Sequence, residues 1–254
     1  MNTRTEFEFG LTFQENLLTE QREAFRKLNF TAQETMKIAQ ELFAPKETVD
    51  EGYITYMRTD NPDIVDGQEV SKIRFEINER YGQEYSPKTP IKYKSTSAQA
   101  QQGHGAIIPT DIRKYPSETS LNGDELKLYD LIWKRAVSSQ MENAKIKRTE
   151  LLIKSEDNKL VYKATGSKII FKGFLEVYEE GKDNEENETD TIIPSNLKPG
   201  DELKVVKVSA DQHFTKAPPR YNEASLIKSL EEKGIGRPST YASIMNSIRK
   251  RDYV

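Results

Sequence analysis

The sequence predicts an α+β, multi-lobed fold on three observations. Apolar residues recur at helical spacing through Met36, Ala39, Leu42 and Phe43, then through Val70, Ile73, Ile77 and Tyr81, and again through Tyr129, Ile132, Trp133 and Ala136. From about residue 147 the period changes to alternation, with Thr149, Leu151 and Ile153 interleaved with other residues, as in half-buried strands. The last forty or so residues read as two helices across a glycine-containing turn, a helix-turn-helix-like pair. Charged residues make up 31% of the 254-residue chain against 35% hydrophobic, which is generous surface for the core available and favours lobes over one compact globule.

Taken in order, residues 1–18 show no clear period and read as an edge strand or a frayed lead-in. The chain then turns helical. Thr31-Ala32-Gln33-Glu34 fits a capping box, in which the Thr31 hydroxyl accepts from the Glu34 amide while Glu34 reaches back. That helix is expected to stop near Ala44-Pro45, because the residue before a proline is pushed out of the α region. Residues 52–60 are rich in β-formers. A second helix follows around Val70 to Tyr81, then a long Ser-, Pro-, Thr-, Gln- and Gly-rich loop over 83–122, then a helix after Gly123-Asp124. Short strands are predicted at 149–153, 160–162, 169–171, 174–178 and 203–208, interrupted by an acidic run from Glu179 to Asp190 that reads as a solvated loop. The chain closes with a helix over 223–233, a turn at Gly234-Ile235-Gly236 and a helix from Pro238 to about Arg251.

Composition excludes several chemistries. With no cysteine, disulfides, thiol nucleophiles and Cys-type zinc sites are out, and with only His104 and His213 a histidine-rich metal site is out as well. No apolar run approaches the roughly 20 residues of a membrane span, and the N-terminus has no hydrophobic signal core, so a cytoplasmic protein with no membrane partner is expected. The net charge of −3 hides the acidic run; the remainder is near neutral to basic, which leaves phosphate binding open.

Four segments carry candidate chemistry. In an extended chain Tyr56 and Arg58 would project from one face, roughly 6–7 Å apart, within reach of a single phosphate. A phenol with its ordinary pKa of about 10 is a poor nucleophile at neutral pH and needs nearby positive charge, which Arg58 could supply; the same residues are also ordinary strand formers. His104, flanked by Gly103 and Gly105, reads either as a phosphate or proton-handling imidazole in a close-approach loop or as a structural histidine satisfied by carbonyls. Arg237-Pro238-Ser239-Thr240 places a guanidinium and two hydroxyls at a helix N-terminus, suited to an anion or simply to capping. Thr215 to Tyr221, with Lys216 and Arg220 among prolines, reads as a strip that tracks a nucleic-acid backbone or as a rigid linker. No carboxylate pair stands in a Mg²⁺-ligand context, so the metal site expected of this chain is none.

Together these segments resemble bacterial type IA DNA topoisomerases. Gly52 to Asp60 is similar to the family's active-site tyrosine motif and Gly103 to Thr110 to its histidine motif. Phe214 to Tyr241 matches a block reading Phe-Thr-x-x-Pro-x-Arg-Tyr, Glu-Ala-Ser-Leu and Gly-Ile-Gly-Arg-Pro-Ser-Thr-Tyr, and Leu128 to Lys145 is a fourth matching stretch. The resemblance implies that Tyr56 attacks a phosphodiester of single-stranded DNA to give a 5′-phosphotyrosyl link, followed by strand passage and religation that relax negatively supercoiled DNA without ATP. It implies that Arg58 stabilises the phosphate, that His104 positions it or moves a proton, and that Arg220, Arg237, Ser239 and Thr240 hold the strand. Where the topoisomerase I branch reads His-Glu-Ala-Ile-Arg-Pro, this chain has His104-Gly105-Ala106-Ile107-Ile108-Pro109, and its Ala-Ile-Ile-Pro-Thr run is closer to topoisomerase III.

The family's Mg²⁺ is implied to sit in a toprim domain, and nothing in residues 1–50 resembles one. The chain is therefore expected to be a core fragment: part of a gate β region at 1–16, a tyrosine domain at 17–145, gate β region at 146–213 and a truncated DNA-binding helical domain at 214–254. Its expected partners are single-stranded DNA and a toprim domain on the same parent chain or a separate one. The alternative is a catalytically incompetent fragment that only binds single-stranded DNA.

Overall fold

The computed structural model describes residues 2–9, 17–44, 51–59, 61–93, 104–157, 159–179, 181, 193–194, 197–212, 214–215, 217–237 and 240–252. It divides into a sheet unit, formed by Met1–Phe9, Ala144–Lys172 and Glu186–Arg220, and a helical unit, formed by Gly10–Asn143, Gly173–Glu185 and Tyr221–Val254. The mixture of helices and one small antiparallel sheet is the α+β class that the sequence predicts.

The sheet unit holds β1 (Asn2–Phe9), β2 (Ala144–Lys154) and β3 (Val161–Phe171) in the order β1-β2-β3. β1 runs antiparallel to β2 from Asn2 opposite Leu151 to Phe9 opposite Ala144. The β2-β3 hairpin is closed at its tip by Ser155, whose N–H donates to Leu160 O at 3.0 Å and whose hydroxyl accepts from Leu160 N at 3.1 Å. Across the hairpin Ile146 faces Ile169, and Lys163 pairs with Glu150 at 2.7 Å. The strands expected separately at 160–162 and 169–171 are one continuous strand. The intervening Ala164-Thr165-Gly166-Ser167 has a weak apolar signal, yet each residue keeps its ladder partner, Gly166 opposite Thr149 among them.

Two predicted strands are corrected. Residues 203–208, apolar at Leu203, Val205, Val206 and Val208, form no ladder among the described residues, and Val206 is 95% exposed. A β-branched run has strand propensity without supplying a partner to pair with. Residues 174–178 belong instead to a short 3₁₀ helix, Gly173–Glu176, and the turn after it. Phe174 and Tyr178 are four residues apart, a helical spacing, and the turn buries both rings in the helical unit.

The helical unit contains α1 (Leu17–Leu28), α2 (Ala32–Phe43), α3 (Gly67–Tyr81), α4 (Gly123–Ser139), α5 (Glu223–Glu232) and α6 (Tyr241–Lys250). Its core is built around α4, whose Leu128, Tyr129, Leu131, Ile132, Trp133, Ala136 and Val137 are all buried. The polar tips of its aromatic residues are satisfied by the loop expected over 83–122: Trp133 Nε1 donates to Ile112 O at 2.9 Å and the Tyr129 hydroxyl to Lys114 O at 2.9 Å. α2 packs on α1, α4 and α6. The capping box at its start is present as predicted, with Thr31 Oγ1 accepting from Glu34 N at 3.2 Å and Glu34 Oε2 from Thr31 N at 2.8 Å.

A second, unpredicted device holds the same helix end. Glu223, the first residue of α5, is buried; its carboxylate accepts from Ala32 N at 2.8 Å and pairs with Arg249 of α6. A carboxylate at a helix N-terminus answers both an orphan N–H and the positive end of the dipole. α5 turns into α6 through Gly234 (φ +66°) and Gly236 (φ +83°), with Ile235 N donating back to Leu230 O at 2.9 Å, so the left-handed turn that glycine allows is what reverses the chain. Ile227, Tyr241 and Met245 then bury against Ala32, joining α5 and α6 to α2.

Segment 173–181 is fastened by a buried carboxylate on α1. Glu23 accepts from the Tyr178 hydroxyl, from Gly181 N at 2.9 Å and from Arg26 at 2.8 Å. Burial pushes its carboxyl pKa up, but the hydrogen bonds from Tyr178, Gly181 and Arg26 and the charge of Arg135 outweigh that and leave it below the ordinary value of 4.5. A group with a depressed native pKa stabilises the fold above its unfolded pKa and loses that contribution as pH falls through the native one. Stability measured by urea unfolding is therefore expected to decline from about pH 5 downward, and Glu23→Gln is expected to flatten that decline while lowering stability at pH 7. An unchanged acid slope in the variant would remove Glu23 from this role.

Candidate active site

Residues 51–59 follow α2 and are held between its C-terminal end and segment 104–110. Tyr53 N donates to Leu42 O at 2.8 Å, capping one of the helix's terminal carbonyls. The chain presses so close here that a Cβ on Gly52 would lie 2.0 Å from Phe43 O. On the other side Thr55 N donates to Ile108 O at 2.9 Å, Thr110 N to Tyr53 O at 3.0 Å, and the Thr110 hydroxyl to Gly52 O at 2.6 Å.

Among the described residues this pairing forms one isolated antiparallel bridge, Ile54 with Pro109, and no continuous strand. Proline has no N–H to carry a ladder onward, and Ala106 N is turned away to Asp63 O at 2.9 Å. Ile54, Met57 and Thr59 are buried, while Tyr56 between them is half-buried and Arg58 is exposed.

What the segment does achieve is a fixed tyrosine ring. Tyr56 is half-buried, with the edge-on ring of Phe43 at 5.5 Å between centroids and 71° between planes. The imidazole of His104 lies at 4.7 Å between centroids. Both contacts fall in the range of favourable aromatic pairs. Among the described residues nothing is hydrogen-bonded to the Tyr56 hydroxyl. Arg58, two residues on, is exposed, and so is His104. Two expected site residues, Tyr56 and His104, are thus brought into contact from distant parts of the chain.

The remaining expected residues are placed as follows. Arg237 and Thr240 flank the start of α6, where the Thr240 hydroxyl accepts from Arg237 N at 2.8 Å and donates to Arg237 O at 2.9 Å. Ser239, Gly103 and His213 lie outside the described residues. Arg220 is exposed at the end of the sheet unit.

Sequence reasoning missed Phe43, read only as part of a helix face, and the two threonines beside the tyrosine. Thr55 Oγ1 donates to Ala106 O at 3.1 Å and accepts from Ile108 N at 3.0 Å. Thr59 is buried; its hydroxyl donates to His104 O at 3.4 Å and accepts from Asn61 N at 3.1 Å. The signal was on the page as Thr-Tyr-Met-Arg-Thr, hydroxyls on both sides of the tyrosine.

The site so far is a half-exposed tyrosine ring in contact with a histidine, with an exposed arginine two residues further along the chain. A family model described as DNA topoisomerase matches residues 12–254, and the chain belongs to the type IA DNA topoisomerase family. It is 46% identical over 240 residues to DNA topoisomerase 1 of Rickettsia bellii, a match covering 92% of this chain and 30% of that protein. It is 43% identical over 241 residues to DNA topoisomerase 1 of Zymomonas mobilis, covering 93% and 19%. The structure of full-length topoisomerase I from Thermotoga maritima superposes with a TM-score of 0.79 at 34% identity, covering all of this chain and 40% of that one. The chain thus spans about 30% of the length of the Rickettsia relative.

Proposed function

We propose that this chain supplies the nucleophile of a type IA topoisomerase. The Tyr56 oxygen attacks a phosphorus of single-stranded DNA, the phenol losing its proton. The P–O3′ bond breaks, the 3′ oxygen takes up a proton, and the strand's 5′ phosphate remains on the tyrosine. Religation is the reverse, so the phosphodiester energy is kept in the phosphotyrosine and relaxation of negative supercoils needs no ATP. The observation that carries this reading is the Tyr56 ring in contact with both Phe43 and His104, its hydroxyl without a hydrogen-bond partner among the described residues.

Arg58 stabilises charge on the phosphate oxygens. His104 positions the phosphate or moves the proton. Arg220, Arg237, Ser239 and Thr240 hold the single strand. In this reading residues 17–145 are the tyrosine domain, 1–16 and 146–213 the gate β region and 214–254 the DNA-binding helical segment, working in the cytoplasm.

Magnesium, which the family implies, takes oxygen ligands in near-octahedral array. Among the described residues no group of three or more His, Asp or Glu is disposed to hold an ion, so these residues do not fit it and no step here is routed through one. The reading assigns the ion to a toprim domain, on the same parent chain or a separate one. Among the described residues no helix is long and apolar enough to cross a membrane.

The test is covalent trapping: a single-stranded oligonucleotide labelled at its 3′ end, Mg²⁺ and a separately supplied toprim domain, then denaturing electrophoresis. A labelled protein band is expected. DNA binding with no adduct would replace this reading by that of a binding-only fragment. In the same assay Arg58→Lys is expected to slow adduct formation about tenfold, since a point charge replaces a planar fork of donors. Wild-type rates in that variant would take Arg58 out of the site.

A further inference from the structure

We infer that Thr55 and Thr59 form a two-hydroxyl clasp that sets the Tyr56 ring against His104, and that they are positioning residues for the proposed tyrosine chemistry. The inference rests on the reading of Tyr56 as nucleophile. Among the described residues the two segments share a single β-bridge, which leaves their alignment to be fixed by other means.

The two hydroxyls sit on either side of the tyrosine in sequence and grip the histidine segment at two points. Thr55, the residue before Tyr56, both donates to Ala106 O and accepts from Ile108 N, so one side chain bridges the two peptide groups that flank Ile107. Together with the Thr55 N to Ile108 O bond, it makes three hydrogen bonds to that segment. Thr59 donates to the carbonyl of His104 itself. It is 4% exposed, so the position offers its hydroxyl no water in exchange. Its second bond, from Asn61 N, fixes the hydroxyl's direction and leads into a chain of turns: Asn61 Oδ1 accepts from Asp63 N at 3.0 Å, and Asp63 O accepts from Ala106 N at 2.9 Å. The path from Thr59 through Asp63 thus returns to the residue that Thr55 holds.

Loss of either hydroxyl leaves backbone groups of the His104 segment without their partner and frees that segment to shift relative to the tyrosine. A misplacement of about 1 Å in a reacting group costs on the order of 100-fold in rate. Neither threonine touches the reacting atoms, so the effect should appear in the rate of the covalent step and not in DNA affinity.

The test uses Thr55→Val and Thr59→Val, which remove a hydroxyl at similar volume, with Thr55→Ser and Thr59→Ser as the variants that keep it. Adduct formation is followed at saturating oligonucleotide with the toprim domain supplied, alongside oligonucleotide affinity by fluorescence anisotropy. NMR of the His104 ring protons, distinguishable from His213 by a His213→Gln variant, reports the ring contact without any chemistry. The valine variants are expected to lose about 10- to 100-fold in adduct rate, to keep wild-type DNA affinity, and to move the His104 ring signals toward those seen in Tyr56→Ala. The serine variants are expected to restore all three. Wild-type adduct rates in both valine variants, or failure of serine to restore the rate, would overturn the clasp. If the wild type itself forms no adduct, the nucleophile reading fails, and the His104 signals then decide the clasp alone: unshifted signals in both valine variants reject it.

Discussion

Tyr56→Phe is expected to abolish the covalent protein–DNA adduct completely while leaving the fold and its stability intact. The phenylalanine ring can occupy the same space against Phe43 and His104, because both contacts are made by the ring and not by the oxygen. Among the described residues the hydroxyl has no hydrogen-bond partner, so its removal orphans nothing, and the change in unfolding free energy should stay within about 0.5 kcal/mol. Oligonucleotide affinity should also hold, since the phosphate contacts proposed for Arg58 and Arg237 are untouched. The contrast with a stability-driven loss is sharp: a variant with a wild-type urea midpoint and DNA affinity but no adduct can have lost only the attacking atom. Residual adduct at a comparable rate would mean that another hydroxyl is the nucleophile, and the reading of this site would fall.

How much of this site was legible in the sequence depends on the range of the interaction. The capping box of α2 is written in four consecutive residues, Thr31 to Glu34, and the structure forms it. Helices α3 and α4 follow from apolar spacing alone. The types of residue at the site were legible too, as a tyrosine with a nearby arginine and a histidine among glycines. Their juxtaposition was not, because neither Tyr56 nor His104 carries a local signal naming the other.

Long-range partners were the consistent blind spot. Glu223 reads as an ordinary first-turn acid of α5 and turns out to cap α2 as well. Thr55 and Thr59 read as β-propensity, whereas their hydroxyls are spent on the opposing backbone, and that competition between side chain and ladder is part of why no strand forms there. Residues 203–208 err the other way, since their valines carry strand propensity but cannot specify a neighbour. Phe174 and Tyr178 could have been read correctly from their spacing; the β-rich stretch before them biased the period toward two.

Gly52→Ala is expected to damage both stability and chemistry from a position that touches neither ring. The added Cβ would stand 2.0 Å from Phe43 O, 2.8 Å from Phe43 C and 3.2 Å from Leu42 O. These are backbone atoms at the end of a helix, not the tip of a side chain that could swing aside, so the segment must move as a whole. Moving it strains the Tyr53 N to Leu42 O bond that caps α2 and the Thr110 to Gly52 O bond on the opposite side. Overpacking of this kind costs about 3 kcal/mol, read as a lower urea midpoint with an unchanged slope. Because Phe43 is both the atom group displaced and the edge against which Tyr56 rests, the adduct rate measured well below the unfolding transition should also fall, by roughly 100-fold for a shift near 1 Å. Gly67→Ala is the matched control. A Cβ there meets nothing within 4 Å, and alanine in the first turn of α3 should leave stability unchanged or raise it by about 0.5 kcal/mol. If Gly52→Ala behaved like Gly67→Ala in both measurements, the close approach to Phe43 would not be what holds the tyrosine segment in place.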